Sequence, residues 1–301
     1  MIIKKFDEIK DFKEETVLVL GYFDGLHRGH QALFNEAKKI ASILNLKIAV
    51  LTFPERADLT FKRFEPEMLL KLTSDEKREE LFAENSVDYL FYKALTSEFA
   101  SNSSTDFLEK YCKKLNPKVI ITGFDYTTGS DIVNLKSTEE IRVIHIPEIK
   151  EDSEKISSTR IRQLIKKGEI AKANQLLGYE YETKGLIVHG YKRGRQLGWP
   201  TANLVIKDYI HLPAFGVYVV DIIYKGQRFR GFASIGYNDT FDAKEKTVEV
   251  NIFDFNEEIY GEKLTIFWLE QLREMKKFDS VDLLIEQMKI DEIRARKWTK
   301  K

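Results

Sequence analysis

The chain has 301 residues, which at roughly 150 residues per domain favours two domains. Its 48 basic side chains equal its 48 acidic ones, and the first 180 residues hold 28 basic and 30 acidic side chains. Neither half therefore has the positive excess that is typical of proteins that bind nucleic acid by bulk charge, and a hydrophobic content of 43% excludes extensive disorder.

Neither a signal peptide nor a membrane span is predicted. The segment Met1–Glu15 is charged throughout, and no apolar run approaches the roughly 20 residues that cross a bilayer. A single cysteine, Cys112, excludes an internal disulfide. We expect a cytoplasmic protein with no nucleic-acid or membrane partner, and the sequence leaves self-association open.

The first part of the chain alternates strand and helix patterns. Short apolar runs are typical of buried parallel strands, and they are separated by segments of helical periodicity. This order predicts a doubly wound parallel sheet in an α/β fold. The predicted strands are Thr16–Gly21, Lys47–Phe53, Val87–Tyr92, Lys118–Thr122 and Arg142–Ile146, and the predicted helices are His30–Asn45, Lys77–Phe82 and Ser104–Leu115.

The second part consists of strand patterns between two helical regions. Two short helices, Ser157–Lys167 and Glu169–Leu177, come first, and a helix over Val281–Trp298 comes last. The strands between them predict an antiparallel barrel or sandwich, and we place the domains at 1–180 and 181–301. The predicted strands are Gly185–His189, Ala202–Ile206, Gly216–Tyr224, Gln227–Ile235, Thr247–Phe255 and Leu264–Leu269.

A turn with glycines and histidines follows the first predicted strand and opens a helix. Its glycines let the backbone approach a ligand closely, and the helix start offers free N–H groups to an anion. His27 and His30 are three residues apart, so both imidazoles can face one point. This arrangement predicts a site for a triphosphate. The alternative is that the turn is only structural and that its two histidines have no role in binding.

The segment from Gly21 to His30 (GYFDGLHRGH) resembles the GxFDGxHxGH signature of the HxGH nucleotidyltransferases, and closely that of their FAD synthetase branch. The resemblance implies a Rossmann-like domain in which His27 and His30 contact the ATP phosphates during adenylyl transfer. It also implies that the substrate phosphate attacks directly, so that the enzyme supplies positioning and charge stabilisation. The ATP-binding positions that it carries over are Gly21, Phe23, Asp24 and Gly25.

Hydroxyl and basic side chains open a later helix. Ser157 suits the N-cap position, where the hydroxyls could serve the cap alone or leave N–H groups for an anion. The segment Ile156–Arg162 (ISSTRIR) resembles the SSTxIR motif of the same family. The resemblance implies ATP-phosphate contacts for Ser157, Ser158, Thr159 and Arg162, and makes Arg160 a variable position.

A third motif, Gly123–Gly129 (GFDYTTG), is similar to the GxDFxFG loop of this family. The similarity places Asp125 on the flavin or nucleotide side of the adenylyltransferase site. Thr128 stands at the second aromatic position of the motif. Pro54-Glu55-Arg56 stands where the family usually has Pro-His-Pro.

A glycine-rich basic loop precedes a strand in the second part, and such a loop can cradle phosphate through backbone N–H groups. Thr201 and Asn203 share one face of that strand, where hydroxyl and amide oxygens suit Mg²⁺. Strict alternation over Thr247–Phe253 puts Glu249 on the face opposite the apolar one. A solvated strand face is the alternative interpretation of Glu249.

These segments together resemble the riboflavin kinase domain, with Trp199 at a position that is usually Phe. The matching segments are residues 190–203, GVY at 216–218, EVNIFDF at 249–255 and LREMKKF at 272–278. The resemblance implies that Glu249 is the general base on the flavin 5′-hydroxyl, and that Thr201 and Asn203 hold Mg²⁺ with the ATP phosphates. The other positions that it carries over are Gly190, Gly194, Arg195 and Gly198 for ATP and Arg273 for the flavin.

The motifs together predict a bifunctional flavin-cofactor enzyme. Its C-terminal β-barrel domain converts riboflavin to FMN with Mg²⁺ and ATP as co-substrate, and its N-terminal domain converts FMN to FAD with release of pyrophosphate. One alternative is a kinase with a slow or redox-restricted adenylyltransferase, which the changed Asp125 loop favours. Another is a non-catalytic flavin- or nucleotide-binding regulator, which the presence of Glu249 disfavours.

Overall fold

The computed structural model describes residues 1–128, 130–189, 198–237 and 246–300. It divides into two compact units, unit 1 (Met1–Ser158) and unit 2 (Thr159–Lys301). The helices that follow Ser158 group with unit 2, and the domain boundary near residue 180 stays a prediction. In the part of the chain that is described, no helix is long and apolar enough to span a membrane.

The core of unit 1 is a parallel sheet. Its strands are β1 (Ile2–Lys5), β2 (Thr16–Leu20), β3 (Lys47–Thr52), β4 (Tyr89–Tyr92), β5 (Pro117–Gly123) and β6 (Arg142–Ile146). The strand order is β1-β4-β3-β2-β5-β6, which confirms the predicted doubly wound sheet. Every residue of β2 is buried, which explains its unbroken apolar run. Strand β1 was not predicted, because its four residues are all exposed.

Helices and short turns connect these strands. The helices are α1 (Arg28–Leu44), α2 (Asp58–Phe61), α3 (Asp75–Glu84), α4 (Ser97–Ala100) and α5 (Ser104–Phe107). A small hairpin of β7 (Lys150–Glu151) and β8 (Glu154–Lys155) follows the last strand of the sheet. The continuous helix predicted over Ser104–Leu115 is wrong, because α5 passes into a π turn at Leu108–Cys112 and a 3₁₀ turn at Lys113–Leu115. The wider turn lets Leu108, Cys112 and Leu115 all face the core.

Unit 2 is a closed antiparallel barrel with helices on its outside. The helices are α6 (Ser158–Lys166), α7 (Ile170–Leu177) and α8 (Val281–Lys297). The strands are β9 (Tyr181–Val188), β10 (Ala202–Val205), β11 (Gly216–Tyr224), β12 (Gln227–Tyr237), β13 (Lys246–Ile252) and β14 (Lys263–Arg273). They close in the order β10-β13-β12-β11-β14-β9, which decides between the predicted barrel and sandwich.

One side chain of α7, Asn174, makes two hydrogen bonds to the barrel. The amide of Asn174 donates to the carbonyl oxygen of Trp268 at 2.8 Å, and its own oxygen accepts from the N–H of Tyr181 at 2.8 Å. Trp268 is fully buried, and its indole N–H donates to Thr183 Oγ1 at 2.9 Å. Gly178 ends α7 at a φ of 81°, as expected for a C-terminal glycine.

The sheet of unit 1 should be sensitive to loss of side-chain volume in β2. Leu18 is 0% exposed, so we expect Leu18→Ala to lower the free energy of unfolding by about 2–5 kcal/mol through lost burial and an unfilled cavity. Urea denaturation followed by circular dichroism measures this change. Ile43→Ala is the matched control, because Ile43 is 80% exposed on α1, and equal losses in both variants would contradict the assignment.

Candidate active sites

The turn between β2 and α1 is shaped by a buried phenylalanine. Phe23 has a φ of 60°, and its ring packs 5.3 Å from Phe34 and 5.6 Å from Phe82. A Cβ atom on Gly21 would lie 2.7 Å from this ring, so only glycine fits there. Because the Phe23 side chain is 1% exposed, an ATP contact at this position would fall on its backbone.

Asp24 supports the turn from inside unit 1. Its carboxylate Oδ1 accepts the N–H of Leu72 at 2.8 Å, and its backbone oxygen accepts the hydroxyl of Ser158 at 2.9 Å. The side chain is 3% exposed. Asp24 and Ser158, both predicted to bind ATP, therefore hold the turn in place, next to Gly25 with its φ of 79°.

The two histidines of the turn stack on each other. Their ring centroids are 3.7 Å apart with an interplanar angle of 15°. His27 is the N-cap of α1, where its Nδ1 accepts the backbone N–H of His30 at 3.3 Å, so a neutral His27 carries its proton on Nε2. A Cβ on Gly29 would lie 3.1 Å from the His27 ring, so a larger residue there would press on this ring.

His30 is held in its neutral form. Burial lowers the pKa of His30 well below its ordinary value, and the nearby His27 and Lys155 lower the pKa further. Its Nδ1 is buried, with no hydrogen-bond partner among the residues that the structure describes. A neutral imidazole can donate one hydrogen bond to a phosphate oxygen without carrying a full charge.

Lys155 supplies the full positive charge at this site. It lies on β8, forms an ion pair with Asp125, and sits 4.6 Å from the ring centroid of Phe124. Sequence reasoning identified Asp125 but missed Lys155, although Lys155 directly precedes the ISSTRIR segment. The hairpin that carries Lys155 is tied to the start of α1 by Arg28, which donates to Glu151 at 2.9 Å.

The segment after β3, which lacks Pro-His-Pro, is held by Arg78 of α3. This guanidinium is 2% exposed and donates to the carbonyl oxygens of Tyr22 at 3.4 Å and Phe53 at 3.2 Å. It also lies 5.4 Å from the ring centroids of Tyr22 and Tyr92. Burial raises the pKa of Tyr92 to about 12. Arg78 thus connects the carboxyl ends of β2, β3 and β4.

The remaining residues of the ISSTRIR segment stand at the start of α6. Ser157 directly precedes the helix, as predicted for an N-cap. Thr159 and Arg162 lie on the helix itself and belong to unit 2.

In unit 2, the barrel brings three of the predicted kinase residues together. Thr201 Oγ1 donates to Glu249 Oε2 at 3.3 Å, and Asn203 on β10 lies directly opposite Glu249 on β13. Asn251, on the same face of β13 as Glu249, donates to the carbonyl oxygen of Pro200 at 2.8 Å. A hydroxyl, an amide and a carboxylate thus converge where β10 begins.

An open cleft adjoins Thr201. We call it the barrel cleft, and its lining includes Pro200, Thr201, Phe255, Ile259 and Tyr260. Glu257 and Glu258 also line the cleft, and its aromatic and aliphatic part suits a flat base. Sequence reasoning noted the segment that contains Phe255 but did not place it beside Thr201.

Arg273, predicted on the flavin side, is held by the C-terminal helix. Its Nε donates to Asp291 Oδ2 at 2.9 Å, and its guanidinium lies 5.6 Å from the ring centroid of Phe278. Asp291 is 1% exposed, so this ion pair is well fixed. Gly198 has a φ of 92° and open space around it. The other predicted ATP positions, Gly190, Gly194 and Arg195, lie outside the described residues.

The oxygen ligands around Thr201 fit a hard cation. Mg²⁺ prefers oxygen ligands and usually binds through a few protein groups together with substrate phosphates. Thr201, Asn203 and Glu249 offer that kind of donor set. In the described ranges, no group of three or more His, Cys, Asp or Glu side chains could hold a metal by itself.

Comparison with known proteins identifies the class. Family models match residues 9–160 (FAD synthetase) and 177–299 (riboflavin kinase). The bifunctional riboflavin kinase/FMN adenylyltransferase of Listeria monocytogenes is 39% identical, with coverage of 95% of this chain and 92% of the relative. The Bacillus subtilis protein of the same name is 34% identical, with coverage of 95% and 93%.

A solved structure shares the whole fold. It is described as a macrolide-efflux protein from Streptococcus pneumoniae, and it matches with a TM-score of 0.93, 43% identity and 99% coverage of both chains. The two-unit fold and the family matches make this protein a transferase. It belongs to the family of bifunctional riboflavin kinase/FMN adenylyltransferases, which confirms the resemblance found in the sequence.

The neutral state of His30 makes stability depend on pH. The folded-state pKa lies well below the unfolded value of about 6.5, so the unfolded chain alone takes up a proton as the pH falls below that value. Stability from this source is complete above about pH 6.5 and is lost at lower pH. We expect His30→Gln to show a shallower fall in the free energy of unfolding between about pH 7.5 and 5.5.

Urea denaturation across that pH range measures the effect. His189→Gln is the control, because the His189 side chain is exposed. An identical pH dependence in His30→Gln and the unchanged protein would show that His30 is not held neutral.

Proposed function

We propose that the Thr201–Glu249 pair is the centre of the riboflavin kinase site. The observation that supports this most directly is the hydrogen bond from Thr201 to Glu249, with Asn203 opposite. Glu249 accepts the proton of the riboflavin 5′-hydroxyl as its oxygen bonds to the γ-phosphorus of ATP. The bond to the β,γ-bridging oxygen breaks, and FMN and ADP are the products.

The side chains around Glu249 bind and orient the two substrates. The barrel cleft takes the adenine of ATP against its aromatic and aliphatic wall. Thr201 and Asn203 hold the phosphate end, where bound Mg²⁺ would neutralise charge on the phosphate oxygens. In this proposal Arg273, which an ion pair with Asp291 fixes, contacts the flavin.

We place FMN adenylyltransfer at the turn that contains His27 and His30. A phosphate oxygen of FMN bonds to the α-phosphorus of ATP, and the bond from this phosphorus to the α,β-bridging oxygen breaks. FAD and pyrophosphate are the products. The helix start and a neutral His30 donate hydrogen bonds to the phosphates, while Lys155 supplies the full charge. Ser157 and Ser158, the members of the ISSTRIR segment that belong to unit 1, complete the ATP contacts in this proposal.

Replacement of the general base should separate the two activities. We expect Glu249→Gln to lower kcat for FMN formation by about 10²–10⁴-fold, because the amide cannot accept the hydroxyl proton. FAD formation from supplied FMN should stay within about twofold of the unchanged protein, since His27 and Lys155 are untouched. Chromatography of the flavins measures both rates. Parallel loss of both activities would contradict the assignment of separate sites.

The charge of Lys155 should matter for adenylyl transfer alone. We expect Lys155→Met to lower kcat/KM for FAD formation by about 10–10³-fold, because a preorganised charge near the phosphates is lost. Lys150→Met is the matched control, because Lys150 pairs with Lys155 across the same hairpin. Similar losses in the two variants would assign the effect to the hairpin and exclude a role for the Lys155 ammonium.

A further inference from the structure

Three residues, Trp199, Pro200 and Thr201, lead into β10, and each of them is hydrogen-bonded to a different side chain. The indole N–H of Trp199 donates to Glu292 Oε2 at 2.9 Å. The carbonyl oxygen of Pro200 accepts from Asn251, and the hydroxyl of Thr201 donates to Glu249. The last two contacts come from β13, but the first comes from α8. The position of the segment therefore depends on a helix outside the barrel.

Glu292 connects that segment to a second loop. Its Oε1 accepts Arg296 Nε at 2.8 Å, and Arg296 makes two further hydrogen bonds to Asp254, at 2.8 and 3.0 Å. The Arg296 guanidinium also lies 4.3 Å from the ring centroid of Phe253. Asp254 has a φ of 57°, so its backbone occupies a conformation that needs support. The next residue, Phe255, lines the barrel cleft.

Helix α8 is itself well anchored on the barrel. It packs on β11, β12 and β14, and Ala295 is fully buried in this contact. Just past its end, the indole of Trp298 donates to Glu270 at 2.5 Å. An anchored helix can fix the loops that its side chains bind.

We propose that Glu292 is a positioning residue for the nucleotide of the kinase reaction. It binds the Trp199 indole and, through Arg296, Asp254, so that the two loops hold Thr201 and Phe255 at their places in the barrel cleft. Glu292 itself touches no substrate. The proposal rests on the proposed role of Thr201 and the barrel cleft in ATP binding.

The residue at position 199 allows a clean test. The Trp199 ring packs against the core between barrel and helix, together with Met288 and Trp298. Phenylalanine, the residue usual at this position in the resembling family, keeps an aromatic ring but has no N–H to donate. Trp199→Phe therefore removes the hydrogen bond to Glu292 with little change in packing.

Two variants of Glu292 separate the loss of its hydrogen-bond acceptor from the loss of its charge. Glu292→Ala removes the acceptor for Trp199 and the partner of Arg296. Glu292→Gln keeps an oxygen that can accept the indole N–H but loses the charge. The matched control is Glu286→Ala, because Glu286 lies exposed on the same helix.

The experiment measures KM for ATP and kcat of riboflavin phosphorylation in the full chain with Mg²⁺. We expect KM for ATP to rise roughly three- to tenfold in Trp199→Phe and Glu292→Ala, which corresponds to the net contribution of one typical intramolecular hydrogen bond. Glu292→Gln should recover part of this loss, and kcat should change less than KM. Urea denaturation followed by circular dichroism, on the same samples, checks that the barrel of each variant is folded.

A double variant decides whether the two residues act through one interaction. Trp199→Phe with Glu292→Ala should raise KM for ATP no more than Glu292→Ala alone. Multiplied effects, an unchanged KM in both single variants, or an equal rise in Glu286→Ala would each overturn the proposal. An unchanged KM in Thr201→Ala would instead overturn the kinase site itself, and the role of Glu292 in nucleotide positioning would fall with it.

Discussion

The main constraint on this protein is that it handles phosphates without a net positive charge. Its basic and acidic side chains number 48 each, so no general field draws a nucleotide in. Each site must therefore build its own local charge and hydrogen-bond donors. We propose that unit 1 uses the start of α1, the stacked His27 and His30, and Lys155. We propose that in unit 2 the oxygen ligands Thr201, Asn203 and Glu249 hold a cation, which would supply the positive charge.

The two units meet this constraint by different means. In a parallel sheet the carboxyl ends of the strands lie at one edge, and α1 begins at that edge, after the turn that follows β2. Buried Phe23, Asp24 and Arg78 keep the turn rigid. An antiparallel barrel instead brings residues of neighbouring strands together by register, as it does for Asn203 and Glu249. Its loops need outside support, which α8 provides.

The sequence predicted the features that follow local patterns. The apolar run of β2, the periodicity of α1 and the alternation of β13 were sufficient to predict the sheet and the barrel strands. The role of Glu249 rests on the family resemblance and stays a prediction. It did not predict β1, whose exposed residues follow no pattern, or the π turn at Leu108–Cys112, which depends on core packing. Nor could it find Lys155 beside Asp125, or Glu292 beside Trp199, because these pairs are 30 and 93 residues apart and meet only through the fold.

The central claim is that one chain carries two consecutive reactions of flavin-cofactor synthesis. The most direct test is to incubate the full chain with riboflavin, ATP and Mg²⁺ and to separate the flavins by chromatography over time. The structure predicts that FMN appears first and that FAD then accumulates at its expense. FMN as the final product would contradict an active adenylyltransferase site at His27 and His30, and unchanged riboflavin would contradict the account as a whole.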